Sequence, residues 1–342
     1  MSWGLGPFRP GGIILACRTR TPGPLSALPC PRVQCAVPPP RAAACRRTGP
    51  TMTGVLGELI ALLDLEEIER NHYRGQSPDD SWQRVYGGQV LGQALVAASR
   101  TVEDPERHAH SLHAYFLRPG DPAVPLLYVV DRIRDGRSFT TRRVVAIQHG
   151  RPIFNMSISF QVREEGLEHQ FPMPEVAPPD DLEPEHLIRR RQAEAAGWPA
   201  EEIQRFARER PIEMRPLQVR DELNPEPREP RQVAWMRVAG RMPDDERLHQ
   251  CALAYLSDWS LLDTCIWPHG VSWMQGRLQT ASLDHAMWFH RPFRADEWLL
   301  YVQDSPASGG ARGFNRGLIY AQDGTLVASV AQEGLIRRIA EA

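Results

Sequence analysis

Three polar residues in the second half of the chain, Asp258, Ser282 and Gln332, carry the side chains that a water-activating site needs. A partly desolvated carboxylate can take a proton from water, while a hydroxyl and an amide orient that water by hydrogen bonds. This chemistry calls for no metal and no cofactor. Each residue also has an ordinary interpretation: Asp258 as a helix N-cap, Ser282 as a plain strand residue, and Gln332 as a solvent-facing side chain of a half-exposed strand.

The chain contains an internal repeat, which makes the positions of these residues informative. Residues 111–160 and 282–333 share a strand that ends in Arg-Pro, a Leu-Leu-Tyr-Val strand and a Gln-x-Gly turn. Each copy is preceded by a helix of small and apolar residues, over 87–99 in the first half and roughly 251–264 in the second. The repeat predicts two structural units with the same plan.

Aligning the serines that open the two copies, Ser111 and Ser282, places Asp258 at the start of the second buried helix, opposite Gly87-Gly88. Gln332 then falls opposite an apolar residue, so we expect one active site per chain. Free N–H groups at a helix start can stabilise a developing oxyanion. Glycine at the other helix start permits close approach of a ligand, which suggests binding.

The remaining elements follow from periodicity. Val55 to Leu63 fits an amphipathic helix, and the helix over 87–99 is apolar on nearly all sides, so a sheet must wrap it. Residues 163–230, rich in Pro, Glu and Arg, are interpreted as a connector on the surface with a helical patch near 185–208. The fold class is therefore α+β. Three strands are predicted after the first helix, separated by Asp-Gly and His-Gly turns: Val124 to Arg134, Ser138 to His149 and Pro152 to Val162.

Composition limits the class of protein. The chain has 342 residues, 42% of them hydrophobic, and a formal net charge of -2. These values exclude a chain that is disordered throughout, a collagen-like fibre and a disulfide miniprotein. They give no global electrostatic reason to bind nucleic acid or an anionic membrane surface. No run approaches the roughly 18 apolar residues that a membrane-spanning helix needs.

Residues 1–51 differ from the rest, with seven Arg, no Asp or Glu, ten of the 31 Pro and four of the six Cys. Such a segment cannot build a core, and we expect a disordered leader. A transit peptide, a cysteine-based metal or disulfide segment and translation from a wrongly assigned start are the alternatives. We favour the last, because Met52 directly precedes the first amphipathic stretch. Cys251 and Cys265 are the cysteines outside the leader, as expected of a reducing compartment.

Several stretches together closely resemble the acyl-CoA thioesterase II (TesB-like) family, and the likeness covers nearly all of 53–338. They are RVYGGQVLGQAL (84–95), AYLSDWSLL (254–262), ASLDHAMWFHRPFRADEWLLY (281–301), ARGFNRG (311–317) and DGTLVASVAQEGLIR (323–337). The resemblance implies a double hotdog: two tandem repeats, each an antiparallel sheet wrapped round a central helix. The domains would be an N-terminal hotdog over 52–165, a connector over 166–230 and a C-terminal hotdog over 231–342.

The resemblance also implies roles. In that family an Asp, a Thr or Ser and a Gln orient the hydrolytic water, in motifs that match Asp258, Ser282 and Gln332. The expected activity is hydrolysis of fatty acyl-CoA to free fatty acid and coenzyme A, in the cytoplasm, by a homo-oligomer. We expect no cofactor and no nucleic-acid partner. The substrate-binding candidates are Gly87, Gly88 and Gln89, with Arg312 and Arg316 for the phosphates of coenzyme A.

Other residues carry weaker signals. Arg312 and Arg316 are four apart in a strand and share a face, but an exposed solvated pair is the simpler interpretation. His285 and His290 lie on opposite faces of one strand and are interpreted as structural, Trp288 as core, and both cysteines outside the leader as buried small hydrophobes. A double-hotdog enoyl-CoA hydratase is disfavoured because the D-x-N-P-x-H segment is absent. A non-catalytic acyl-CoA binding module is the non-enzymatic alternative.

Overall fold

Apolar residues recur about every 3.6 positions where the chain forms helices and every second position where it forms half-buried strands. The computed structural model describes residues 54–78 and 83–339, so the predicted leader over 1–51 lies outside the described residues. The first half contains α1 (Val55–Leu63), β1 (Glu66–Glu69), β2 (His72–Gly75), α2 (Gly87–Arg100), β3 (Arg107–Phe116), β4 (Leu126–Asp135), β5 (Phe139–Gln148) and β6 (Arg151–Val162). The rest contains α3 (Glu185–Ala195), α4 (Ala200–Phe206), β7 (Ile212–Pro216), β8 (Arg231–Val238), α5 (Glu246–Ser257), β9 (Leu278–Ser282), β10 (Asp284–Phe289), β11 (Leu299–Gly309), β12 (Arg312–Ala321) and β13 (Leu326–Arg338).

The strands of the described residues form one antiparallel sheet in the order β1-β2-β4-β5-β6-β3-β10-β13-β12-β11-β8-β7, with β9 paired to β13. Pairing of β3 with β10 joins the two repeats edge to edge, in a register that sets Leu112 opposite Met287. Helix α2 packs against β2 to β6 of the first half of the sheet, and α5 packs against β3 and β8. The α+β double hotdog is therefore confirmed, with a single continuous sheet where the sequence suggested two.

The predicted elements of the first repeat agree closely with the structure. The amphipathic helix is α1, the small-residue helix is α2, and the three predicted strands are β4, β5 and β6. Every α2 residue from Gly88 to Ser99 is buried. In the second repeat the predicted bounds of the helix, 251–264, were wrong. Helix α5 spans Glu246–Ser257, and a 3-10 helix, Leu261–His269, follows it.

The segment between the repeats packs on the outside of the second half of the sheet. Met173, Val176 and Leu182 contact a cluster built on Trp235 and Trp298, and the Trp235 indole N–H donates to the Ala177 carbonyl at 2.9 Å. The range 166–230, predicted to be a connector, also contains β7, which pairs with β8 at the sheet edge. The sheet of the second repeat therefore begins before residue 231.

Helices α2 and α5 run antiparallel and pack directly against each other. A Cβ atom at Gly88 would overlap the backbone carbonyl oxygen of Tyr255, and one at Gly92 would lie 3.1 Å from that of Cys251. Glycine at these positions therefore lets one helix backbone rest on the other. The closest approach is at the start of α2 and the end of α5, where the polar residues singled out above meet.

Substitution Gly88→Ala should destabilise the fold by about 2 kcal/mol or more, because a methyl group there overlaps backbone that cannot move aside alone. Gly92→Ala is the matched control on the same face of α2. Its contact is tight but not overlapping, and alanine improves helix propensity by about 1 kcal/mol, so its change in stability should stay within about 1 kcal/mol. Urea denaturation measures both; equal losses for the two variants would contradict this account.

Candidate functional site

Asp258 lies at the C-terminal end of α5, as its C-cap, and not at the helix start as predicted. The helix begins twelve residues earlier, at Glu246, where the side chain of the N-cap Asp245 accepts hydrogen bonds from the backbone N–H groups of Arg247 and Leu248. An aspartate before a hydrophobic stretch is the better N-cap signal, and the sequence offers it at Asp245. The side chain of Asp258 therefore does not cap the start of its own helix.

The helix start that meets Asp258 belongs to the other repeat. The backbone N–H of Gly88 donates to the Asp258 carboxylate, and a Cβ at Gly87 would lie 2.6 Å from Asp258 Oδ2. The alignment of the two repeats treated Asp258 and Gly87-Gly88 as equivalent positions, whereas in the fold they face each other. The first N–H groups of a helix lack intrahelical partners and favour an anion, so α2 supports the negative charge of Asp258.

Ser282 and Gln332 converge on the same carboxylate oxygen. Ser282 Oγ donates to Asp258 Oδ1 at 3.3 Å, and Gln332 Nε2 donates to it at 2.5 Å. Ser282 closes β9 and Gln332 lies on β13, the strand that pairs with both β9 and β10. The structure thus brings together the three residues predicted as a water-activating set, which we call the Asp258 cluster.

A kink at Leu283 brings one more residue, His285, to the Asp258 cluster. The sequence interpretation had treated His285 as structural. Leu283 separates β9 from β10, and its N–H donates to the Glu333 carbonyl where β13 changes partner. The extra residue turns His285 to the same side as Ser282 although the two are three apart. His285 Nδ1 lies 3.2 Å from Gln332 Nε2, and His285 Nε2 lies 3.0 Å from Ser257 Oγ.

Burial controls the electrostatics of the cluster. The Asp258 side chain is 5% exposed, and desolvation raises its pKa from 3.8 to about 6, against the opposing hydrogen bonds from Gln332, Ser282 and Gly88. Burial also lowers the pKa of His285 to about 3. The imidazole is therefore neutral at physiological pH, and its 3.9 Å approach to Asp258 Oδ1 is not an ion pair.

The other predicted binding residues do not join the cluster. Gln89 is buried in the first repeat, where its amide donates to the Gln76 carbonyl and to Ser77 Oγ. Arg312 and Arg316 do share a face of β12, as predicted, but it is the exposed face, whereas Asn315 between them is buried opposite Gln332. They pair with carboxylates, Arg312 with Glu333 at 2.8 Å and Arg316 with Asp304 at 2.8 Å.

Three further predictions concern a tryptophan, two histidines and two cysteines. Trp288, predicted to be core, is 36% exposed on the outer face of the sheet, where it packs edge-on against His113. His285 is buried and His290 is exposed, so the odd spacing did place them on opposite faces. Cys251 and Cys265 are buried and free, as expected.

The opposite end of the helix pair is closed by a side chain. There α5 starts and α2 ends, and the Arg247 guanidinium donates to four backbone carbonyls around the end of α2, those of Ser99, Val102, Asp104 and Arg107. Cationic groups are favoured at a helix C-terminus. The position that corresponds to Asp258 holds Thr101, the C-cap of α2. At the Asp258 end, by contrast, a carboxylate of one helix faces the start of the other.

Comparison with known proteins identifies a common family. A model described as acyl-CoA thioesterase matches residues 202–335, and one described as acyl-CoA thioesterase N-terminal domain matches residues 78–161. Acyl-CoA thioesterase 2 of Haemophilus influenzae is 41% identical over 286 residues, 84% of this chain and 99% of the relative. Human acyl-coenzyme A thioesterase 8 is 42% identical over 82% of this chain and 88% of its own length.

A solved structure agrees with these matches. The crystal structure of acyl-CoA thioesterase II TesB2 from Mycobacterium marinum superimposes with a TM-score of 0.67 and 47% identity, over 82% of this chain and 98% of that one. The resemblance to the TesB-like family is thereby confirmed. Within the described ranges, no helix combines the length and apolarity that a membrane crossing requires.

Substitution Asp258→Asn should stabilise the folded chain at neutral pH. A pKa raised from 3.8 to about 6 means that ionised Asp258 costs up to about 3 kcal/mol of folding free energy above pH 6. The cost shrinks as the pH falls from 6 towards 4 and is absent well below pH 3.8, where the group is protonated in both states. Urea denaturation at pH 7.5 should show the gain, and at pH 4 most of it should be gone.

Asp323→Asn, in the turn before β13, is the control of opposite sign. The Thr325 N–H holds the pKa of Asp323 below its ordinary value, so this substitution should cost stability above pH 4. A gain for Asp258→Asn that is equal at both pH values would show that its origin is not desolvation of the charge.

Proposed function

Because the chain belongs to the acyl-CoA thioesterase family and is thus a thioester hydrolase, we propose that it hydrolyses fatty acyl-CoA by direct attack of a water that Asp258, Ser282 and Gln332 orient. The products are a free fatty acid and coenzyme A. The observation that carries the proposal is the convergence of Ser282 Oγ and Gln332 Nε2 on one oxygen of a buried carboxylate. Each chain then contains one active site.

Asp258 is the general base. Its pKa of about 6 makes it ionised at neutral pH yet far more basic than an ordinary aspartate, which is the range in which a general base is most effective. Ser282 and Gln332 hold one carboxylate oxygen, Oδ1. The second oxygen, Oδ2, faces Gly87 at the start of α2, and it is the one that we assign to the water.

In the first step the water oxygen bonds to the thioester carbonyl carbon while Asp258 takes the water proton. The carbonyl π electrons move to oxygen and give a tetrahedral oxyanion. In the second step the carbon–sulfur bond breaks, the carbonyl re-forms, and the thiolate of coenzyme A takes the proton back from Asp258. The fatty acid and the thiol leave, and the carboxylate is regenerated.

The start of α2 supplies the oxyanion site. Gly88 N–H is engaged with Asp258, so the N–H of Gly87, the first residue of α2, is the one we assign to the thioester oxygen. Such a donor stabilises the transition state by a few kcal/mol when it is fixed in place beforehand. Glycine at position 87 lets the start of α2 contact the carboxylate, because a Cβ there would overlap Asp258 Oδ2 and crowd Phe116.

We further propose that the protein acts in fatty acid metabolism, in the cytoplasm and as a homo-oligomer. The buried, free state of Cys251 and Cys265 supports a reducing compartment. Oligomeric state stays a prediction that size-exclusion chromatography with light scattering would test.

Thiol release from a chain-length series of acyl-CoA esters, measured on the full chain, tests the chemistry. Asp258→Asn should lower kcat by roughly 100-fold to 10,000-fold, the range for loss of a general base, and Gln332→Ala by roughly 10-fold to 1,000-fold. Ser282→Thr, which keeps the hydroxyl, should retain most of the rate, whereas Ser282→Ala should not. Asp323→Asn serves as the carboxylate control and should match the wild type.

Wild-type protein that binds acyl-CoA without releasing thiol would replace this proposal with the acyl-CoA binding module. Full activity in Asp258→Asn would instead keep the thioesterase and reject the assigned base.

The pH profile gives an independent check. Because the base acts in its ionised form, log(kcat/KM) should rise by one per pH unit below about pH 6 and level off above it. Three other titratable side chains, those of His285, Tyr86 and Tyr301, face Asp258. Burial keeps His285 neutral and raises the pKa values of the two tyrosines well above 10. None of the three titrates in this range. An inflection that persists near pH 6 in Asp258→Asn would assign it to another group.

A further inference from the structure

We propose that His285 is a positioning residue that fixes the amide orientation of Gln332, so that Gln332 Nε2 faces Asp258 and Gln332 Oε1 accepts a hydrogen bond from the attacking water. This inference rests on the proposed function, because it concerns how the water is held. It assigns a role to a residue that the sequence pattern marked only as structural.

The first step of the argument is the direction of the hydrogen bonds at Gln332. An amide nitrogen has two N–H groups, and a carboxylate only accepts. Gln332 Nε2 lies 2.5 Å from Asp258 Oδ1 and 3.2 Å from His285 Nδ1, so one N–H serves each partner. His285 Nδ1 must then be an acceptor without a proton.

The proton of the neutral imidazole is therefore on Nε2, and the rest of the chain of hydrogen bonds follows. His285 Nε2 donates to Ser257 Oγ at 3.0 Å, and Ser257 Oγ donates to the Ala254 carbonyl at 3.0 Å. Ser257, His285 and Gln332 are all buried. The direction of every bond is thus anchored on the backbone of α5, the same helix that ends at Asp258. The low pKa of His285 agrees with a neutral imidazole, and the hydrogen bonds at its two nitrogens assign the tautomer.

The second step concerns Gln332 Oε1, the amide oxygen, which takes part in neither of these hydrogen bonds. Gln332 Oε1 is buried and has no hydrogen-bond partner among the described residues. A buried acceptor left unpaired destabilises the folded state. A water that gives one hydrogen to Asp258 and the other to Gln332 Oε1 removes this cost and directs an oxygen lone pair at the thioester carbon. With the amide rotated by 180°, Oε1 would face Asp258 Oδ1, two acceptors in contact, and His285 Nδ1 would have to carry the proton in place of Nε2.

Paired isosteric variants of His285 test the inference. Asn places an acceptor near the position of Nδ1, and Gln places a polar group near Nε2. His285→Asn should keep kcat within about 10-fold of the wild type, whereas His285→Gln and His285→Leu should lose roughly 100-fold. KM should change by less than about 3-fold in all three, since the imidazole does not touch substrate. Unfolding by urea, measured in parallel, shows whether Asn and Gln cost similar stability.

A double-variant cycle separates positioning from an independent role. If His285 acts through Gln332, His285→Leu should lower kcat in the wild-type background and change it little when combined with Gln332→Ala. Additive losses would overturn the inference. So would ¹⁵N chemical shifts that place the His285 proton on Nδ1, a measurement on the wild-type protein that does not depend on any variant folding.

The same cycle distinguishes failure of the inference from failure of the proposed function. Wild-type turnover in Gln332→Ala would reject the water-holding role of Gln332 and with it the proposed mechanism. A loss in Gln332→Ala together with wild-type kcat in both His285→Gln and His285→Leu would leave the mechanism in place and reject only the role of His285.

Discussion

The contact between the start of α2 and the end of α5 is the constraint on which the rest of the structure depends. Glycine at Gly88 lets the two backbones meet, and the meeting brings the positive end of one helix onto the carboxylate that ends the other. Neither repeat forms this site alone, because the second contributes the side chains of the Asp258 cluster and the first contributes the start of α2. The continuous sheet, joined through β3 and β10, holds the two helices in that relation and excludes water from their contact. Desolvation of Asp258 is therefore a consequence of how the two repeats are joined.

The pseudo-symmetry of the double hotdog creates two such helix ends, and the chain treats them differently. At one end a buried carboxylate contacts glycine, where a side chain would not fit. At the other, Arg247 satisfies the last carbonyls of α2, and the C-cap is Thr101. An arginine at a helix C-terminus completes hydrogen bonds that the helix cannot make for itself, so this end serves the stability of the fold. One end therefore carries a buried charge that costs stability, and the other carries an arginine that adds to it.

Much of this could be predicted from the sequence, and the errors have identifiable physical causes. The run of small residues in α2 can only be a helix that is enclosed on all sides, so its bounds were nearly right. Asp258 was placed at the wrong end of α5 because aligning the repeats assumes equal spacing between helix and strand. The 3-10 helix Leu261–His269 lengthens that spacing in the second repeat only. Strand alternation predicts that Arg312 and Arg316 share a face of β12. Whether that face is exposed depends on which side of the sheet the helices cover. The sequence of a single strand does not contain that information.

His285 shows a different limit. Strand alternation puts residues 282 and 285 on opposite sides, and it holds only while pairing is regular. At Leu283 the strand β13 changes partner from β9 to β10, and the resulting kink brings a hydroxyl, an imidazole and an amide to one carboxylate. Local irregularity of this kind costs backbone pairing and is retained where it aims a side chain. Placing these groups by a break in the sheet fixes each of them through backbone pairing on both sides of the break. The result is a carboxylate whose hydrogen-bond partners are as rigid as the sheet, which is what preorganisation around a developing charge requires.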